Sequence, residues 1–384
     1  MADGFLKLSS AFDEANEADW LEAVSKALKG GGVERLQRKT DDGLTIEPLY
    51  RESSFPSATD PRGAPGEAPY LRGASAEPDP FLPWDIRQSF GHPDPEVTNK
   101  EILRDLERGV SSIELCVDCT GKSGVAIHDA DTLATALNGV RADIASVALD
   151  HCGMGSGTSL AGLLALWGEQ QGGAGTLKFA FNIDPIGLLM RKGEVEGGID
   201  AAFVRTAELS RLLCLRYPKS TTLRADARPV HEAGGSEAQE LGVLIAHAVD
   251  TMRRLADQGY DASAYPSQTV FTLAAGGNYG IEIAKLRAAR RLWARVLDAM
   301  ELEAEPMLLQ SVSSARMLTR YDPWVNMLRN TAACFASAVG GADIVTVRAF
   351  NEALGVPEEL GRRTARNTQI IAMEESGLGK IADP

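Results

Sequence analysis

The chain is poor in the residues that most often announce chemistry. Its 384 residues include five histidines and five cysteines, and aromatics make up 6% of it. The cysteines, at 116, 119, 152, 214 and 334, lie scattered through apolar stretches and are odd in number, which argues against a disulfide framework. Cys116 and Cys119 form a lone CxxC, "CVDC". With no second pair and no neighbouring histidine, it reads as two buried thiols at a strand end rather than zinc or redox chemistry. No apolar run is long enough to span a bilayer, and the opening "MADGFLKLSSAFDEANEADW" has no apolar core of a secretory signal. These absences point to a cytoplasmic, reducing setting. Basic residues are in deficit, 39 Lys and Arg against 53 Asp and Glu, for a net charge of -14. Nucleic acid and anionic membranes both require a basic footprint, so neither is expected as a partner.

What is present is ordinary globular composition, 44% hydrophobic and 24% charged, over a length that suits one large α/β domain and an appendage. Near the start, "DEANEADWLEAVSKALKGGG" predicts a helix. Trp20, Leu21, Val24, Ala27 and Leu28 share one face, and Gly30 to Gly32 end it. "LTIEPLY" reads as a short strand, and residues 51–83, rich in Pro, Gly, Ser and acids, as an extended connector. Residues 1–75 are therefore expected to form an arm that lies over another surface, and residues 76–384 the main domain.

From about residue 108, strand-length runs recur at "SSIELCVD", "ASVALD", "TLKFAFN", "TTLRAD", "TVFTLAA", "MLLQSVSS" and "DIVTVRAF", with helical patterns between most of them. In "GIEIAKLRAARRLWARVLDAM" the apolar stripe is Ile283, Leu286, Leu292, Trp293 and Val296. In "DPWVNMLRNTAACFASAVGG", Asp322 suits the N-cap, Pro323 the first helical position and Gly340–Gly341 the stop. Alternating strands and helices mean a parallel sheet with right-handed crossovers. The seven units plus "KIADP" make eight strands, which favours an α/β fold of the (β/α)8 TIM-barrel type. On this count the eighth helix is missing and the barrel is truncated at its eighth unit.

Few constellations stand out. "LDHCGMGSGTS" follows a strand and offers Gly153, Gly155 and Gly157, but it lacks the Lys-Ser/Thr of a P-loop and reads as turn geometry. Asp150–His151 and His128–Asp129 read as solvated pairs, since neighbours on a strand face opposite ways. Arg287, Arg290, Arg291 and Arg295 read as a solvated helix face, "RRTARNTQ" as helix surface and Trp84 as a packing anchor. His231, in "RPVHEAGGS", sits just past a strand, where a general acid or base would stand at a barrel rim.

Several stretches resemble the barrel portion of the methylmalonyl-CoA mutase family, the adenosylcobalamin-dependent acyl-CoA mutases. They are "PWDIRQSFG", "HEAGGSEAQELG", "IEIAKLRAARRLWA", "YDPWVNMLRNTAACFASAVGGAD", "FNEALGVP" and "ARNTQIIAMEESGLGKIADP", in the family's order and covering most of residues 80–384. The resemblance implies a barrel threaded by coenzyme A and an adenosylcobalamin cofactor. It also implies radical interconversion of methylmalonyl-CoA and succinyl-CoA. A separate C-terminal flavodoxin-like domain would supply a His to cobalt. That domain's signature, Asp-x-His-x-x-Gly, does not occur in the 384 residues, so a C-terminal cobalamin-binding domain is expected to be absent.

The family's catalytic chains carry a Tyr after "RQ", a Gln and an Arg flanking the third strand, and a His before "MQEAG". The matching positions here are Ser89, Asn182, Lys192 and Pro229. His231 falls on the Gln of "MQEAG", so it is not the family's active histidine. Pro229 can neither donate a proton nor hydrogen-bond a thioester carbonyl. Ser89 lacks the ring that wedges against the corrin, and Ser267 replaces an Arg used for coenzyme A phosphate. No residue is therefore expected to be catalytic, and no metal ligand is expected. Glu232, Glu352 and Ala353 match positions that approach the cofactor. Some bacterial mutases pair a catalytic large chain with a related small chain that has no activity of its own. The lead-in "EADWLEAVSKALKG…LTIEPLY" and the placement of "HEAGG" are similar to that small chain. The implied role is a non-catalytic subunit that stabilises the large chain. The alternative is a competent acyl-CoA mutase of altered substrate preference, with Ser89, Asn182, His231 and Glu232 as a remodelled pocket.

Overall fold

All seven of the strand-length runs become strands, because each offers apolar or β-branched residues at alternate positions for an outer helix to cover. The structure, a computed structural model, describes residues 16–51, 54, 63–151, 157–380 and 382. The barrel strands are β1 (Asp85–Phe90), β2 (Ser112–Val117), β3 (Ser146–His151) and β4 (Phe179–Ile183). They continue as β5 (Thr221–Asp226), β6 (Thr269–Ala275), β7 (Leu308–Ser313) and β8 (Ile344–Thr346). They pair in chain order, all parallel, and β8 pairs with β1 to close the ring.

Among the described residues, the principal outer helices are α1 (Pro95–Leu106), α2 (Ala130–Ala136), α3 (Gly157–Gln171), α4 (Ile199–Arg216), α5 (Glu237–Asp257), α6 (Tyr279–Ala299), α7 (Val325–Val339) and α8 (Glu359–Glu374). The expected (β/α)8 barrel is thus present, with two corrections. The eighth strand comes first rather than last: "DIRQSF" is β1, whereas Lys380 of "KIADP" lies in a turn, donating its N–H to the Gly377 carbonyl at 3.2 Å. The eighth helix, expected to be missing, is α8. A smaller correction concerns α7, which begins at Val325, two residues after Pro323. Asn326 holds the preceding turn open, accepting from Thr319 N at 2.9 Å and donating to the Thr319 and Phe350 carbonyls, each at 2.9 Å.

The core is the layer between strands and helices. Phe179 of β4 meets Tyr217 edge-on and Phe181 meets it at a tilt, with ring centroids 5.2 Å and 5.7 Å apart, and Trp167 of α3 closes the group. Gly168 lets α3 come this close, since a Cβ there would lie 2.9 Å from both Phe179 and the Tyr217 hydroxyl. Trp84 is an anchor, as expected: 5% exposed, it donates its indole N–H to Gln369 Oε1 of α8 at 3.2 Å.

The chain divides into two compact units, residues 1–60 and 61–384. The first contains the helix Glu17–Ala27 and a two-stranded antiparallel ladder, Arg38–Lys39 with Thr45–Ile46. Asn16 caps that helix by accepting from Ala18 N and Asp19 N at 2.9 Å and 3.2 Å. None of this unit's described residues is buried.

Candidate functional site

Alternation along the strands decides what faces the bore. Ile113, Leu115, Val147, Leu149, Phe179, Phe181, Leu223, Phe271 and Leu309 belong to the apolar layer under the helices. Residues one step away point inward: Arg87 and Ser89 on β1, Glu114 and Cys116 on β2, Asp150 on β3, Asn182 on β4. The inward set continues with Arg224 and Asp226 on β5, Thr272 on β6, Gln310 on β7 and Thr346 on β8. Barrel interiors are usually packed with branched aliphatic residues. Here charged and amide side chains share the interior with aliphatic ones such as Ala148, Val270 and Val312.

Three of these side chains form a bar across the ring. Arg224 of β5 donates through Nη2 to Asp150 Oδ1 of β3 at 2.9 Å, and its Nη1 lies 4.0 Å from Glu114 Oε1 of β2. From the opposite side, Gln310 of β7 donates to the same Glu114 oxygen at 3.3 Å and to Thr346 Oγ1 of β8 at 3.2 Å. The Arg224 side chain is 0% exposed. Toward the C-terminal end of the strands, Arg228 holds Asp226 and Asp150 at 2.8 Å and 3.1 Å, and Arg191 pairs with Asp226. Three guanidiniums (Arg191, Arg224, Arg228) thus balance three carboxylates (Glu114, Asp150, Asp226). Burial alone would raise the carboxyls of Asp150 and Asp226, but the surrounding arginines outweigh it and hold both well below the usual carboxylate range. Nearer the N-terminal end, Arg87 donates to Ser112 Oγ at 2.9 Å and pairs with Asp85 at 3.2 Å.

The C-terminal mouth holds a cavity of about 360 Å³ over β1, β2 and β8, with Ser89, Cys116, Lys122, Arg348 and Glu352 among its walls. The loop after β2 is held by Asp118, which accepts from the N–H and hydroxyl of both Thr120 and Ser123 at 2.7 to 3.0 Å. Burial works against ionisation there, yet those bonds bring the Asp118 carboxyl down to about 2.

The structure gathers some of the expected site residues and separates others. Glu352 lies half-buried beside Arg348 and pairs with it, and Ala353 is half-buried next to it. Glu232 is exposed, accepts from Ala315 N at 3.3 Å, and adds to the negative field at Arg348. Ser89 lies 3.1 Å from Cys116 Sγ in the cavity wall. Asn182 is buried with a left-handed backbone, φ 52°, and donates to the Leu149 carbonyl at 2.9 Å. Lys192 is exposed; the neighbouring Arg191 is the cation that reaches the bore. Pro229 is the second residue of the short helix Arg228–Glu232. Ser267 is exposed just before β6, at the barrel's N-terminal end. A ligand joining Ser267 to Ser89 would have to pass the Gln310–Glu114–Arg224 bar.

His231 lies away from the mouth cavity's walls. It is 2% exposed, with Nε2 2.6 Å from Ser314 Oγ and Nδ1 3.4 Å from Glu240 Oε2. Several expectations of solvated groups are overturned: most of these groups meet a buried partner, whereas His151 is buried without a hydrogen bond to its Nε2. Asp150 and His151 are buried at 6% and 8% exposure. Arg290 is buried and pairs with Asp343 at 3.1 Å. In "RRTARNTQ", Arg362, Arg366 and Gln369 are buried, with Arg366 on Asp105 at 2.6 Å. The CxxC is not two buried thiols, since Cys119 is exposed and Cys116 half-buried. His128 and Asp129 are exposed, as expected. Gly153 and Gly155 lie outside the described residues, and Gly157 begins α3. The bore residues themselves were overlooked. Their signal is a charged or amide residue at alternate positions inside otherwise apolar runs: Glu114 in "SSIELCVD", Arg224 in "TTLRAD", Gln310 in "MLLQSVSS".

Fold and bore define a class of protein: a (β/α)8 barrel with a cavity at its C-terminal mouth and an ion network crossing its interior. The chain matches the family model described as methylmalonyl-CoA mutase over residues 39–384, and it belongs to that family. It is 40% identical to the methylmalonyl-CoA mutase small subunit of Streptomyces virginiae, over 100% of this chain and 62% of that protein. It is 30% identical to the small subunit from Propionibacterium freudenreichii subsp. shermanii, over 99% of this chain and 59% of the relative. The mitochondrial methylmalonyl-CoA mutase of Bos taurus is 28% identical over 95% of this chain and 51% of its own length. The chain therefore spans at most 62% of the length of these relatives. Among the described residues, no helix is long and apolar enough to cross a membrane, and no cluster of His, Cys, Asp and Glu could hold a metal ion.

Proposed function

We propose that this chain is a non-catalytic subunit of a methylmalonyl-CoA mutase, whose role is to bind and stabilise a catalytic large chain. One observation carries the reading: the bore that would admit a coenzyme A thioester is crossed by Gln310, Glu114 and Arg224, the last with no exposed side-chain surface. The substituted positions Ser89, Asn182 and Pro229 support it, since none supplies a cation or a titratable imidazole. A partner surface is supported by the first unit. Trp20, Leu21, Val24 and Leu28 share one side of its helix, and none of them is buried.

Adenosylcobalamin belongs to the family-level reading. Glu232, Glu352 and Ala353 are proposed as a remnant of its face at the mouth. They do not fit as its holders: Glu352 is engaged by Arg348, and Glu232 by the Ala315 N–H. No step is therefore assigned to them. Cysteines 116, 214 and 334 are free thiols, which suits a cytoplasmic setting.

The test is an assay of the purified chain with adenosylcobalamin and methylmalonyl-CoA, alone and with a large mutase chain carrying the catalytic Tyr, Arg and His. No succinyl-CoA should form without the large chain, and the two chains should copurify. Turnover by this chain alone would refute the non-catalytic reading, and cobalamin-dependent isomerisation of another acyl-CoA would support the altered mutase.

A further inference from the structure

Arg224 occupies its place in the bore as a ligand would. Its buried guanidinium faces carboxylates from three strands: Asp150 Oδ1 at 2.9 Å, Asp226 Oδ2 at 3.8 Å and Glu114 Oε1 at 4.0 Å. Asp150 and Asp226 share the other two guanidiniums, from Arg191 and Arg228. Without Arg224, three carboxylates would face two guanidiniums inside the barrel. An uncompensated buried charge is costly, and a planar cation with N–H donors in its own plane is the group that best repairs it.

We propose that the bore, once freed of the Arg224 side chain, is a binding site for small planar cations of the guanidinium class and rejects the anionic thioester. The inference rests on the filled bore that supports the functional reading, but it adds a separate claim. The side chain that closes the bore acts as a surrogate ligand, and the charge around it is of the sign that repels coenzyme A phosphates. A purely steric plug would leave a void indifferent to charge.

The experiment uses the full chain carrying Arg224→Ala, with thermal unfolding followed in ~20 mM methylguanidinium chloride. Equal concentrations of sodium chloride and of trimethylammonium chloride serve as controls. Methylguanidinium alone should raise the midpoint of R224A by about 2–4 °C, with no rise for the wild type. Coenzyme A should give no rise in R224A. Equal responses to methylguanidinium and sodium chloride, or stabilisation by coenzyme A, would overturn the proposal. If R224A cannot be obtained folded, Asp150→Asn removes the nearest counter-charge at constant shape. It should lower the midpoint by several degrees, and an unchanged midpoint would contradict the proposal. Both readouts are of stability, so a failure here is separable from failure of the functional reading, which is measured as turnover.

Discussion

Lys285 sits between two carboxylates, 2.8 Å from Glu240 Oε2 and 2.7 Å from Glu282 Oε2, with its ammonium fully buried. Glu240 also accepts from the Ala274 N–H at 2.7 Å, tying α5 and α6 to β6. Lys285→Met would leave two buried carboxylates without their cation, and we expect a loss of about 3–5 kcal/mol in urea unfolding. A loss below ~1 kcal/mol would mean that water reaches the pair. His151 gives a pH signature. Burial, reinforced by Arg224, lowers its imidazole to about 4, against about 6.5 for an unfolded chain. Below pH ~6.5 the unfolded chain takes up a proton that the folded one refuses until pH ~4, so stability falls across that window, by roughly 3 kcal/mol in all. Asp150 and Asp226, held low, act only below the unfolded value of about 3.9. Glu101, Asp105 and Asp343 are raised by burial and act with the opposite sign in acid, so the comparison must be against a variant. His151→Asn should lose less stability than wild type between pH 7 and pH 4.5, and equal losses would refute the assignment.

At the scale of elements, the last helix closes the barrel on the first. Arg366 and Arg362 of α8 pair with Asp105 and Glu101 of α1 at 2.6 Å and 2.8 Å, and Gln369 receives the Trp84 indole N–H. Arg366→Ala should cost about 3 kcal/mol and speed hydrogen exchange in residues 359–374 more than in α5. Uniform change across the barrel would show that α8 is not the seam. The helices and strands themselves were largely legible, because hydrophobic periodicity reports the layer between them. What periodicity hid was charge turned inward. Arg366, Lys285 and Arg290 lie on the buried sides of their helices, where charged residues are rare unless paired, and a pattern read from apolar residues assigns them to solvent. The same rule hid β1, whose inward positions are Asp85, Arg87 and Ser89. The stretches that carried the family resemblance, "HEAGGSEAQELG", "IEIAKLRAARRLWA" and "ARNTQ", hold several of these buried ties: His231–Glu240, Glu240–Lys285, Arg290–Asp343, Arg366–Asp105 and Gln369–Trp84. They mark the scaffold.

Across the whole molecule, the fold of a mutase barrel is intact while its passage is obstructed. The substituted mouth residues were visible in the sequence, but the obstruction was not, since Glu114, Arg224 and Gln310 lie on three strands and meet only when the ring closes. The proposed non-catalytic role requires that this barrel bind no coenzyme A. Titration calorimetry of the purified full-length chain with coenzyme A tests this most directly. The filled bore predicts no saturable heat up to ~1 mM ligand, weaker than a binding free energy of about -4 kcal/mol. Saturable one-to-one binding in the micromolar range would contradict it.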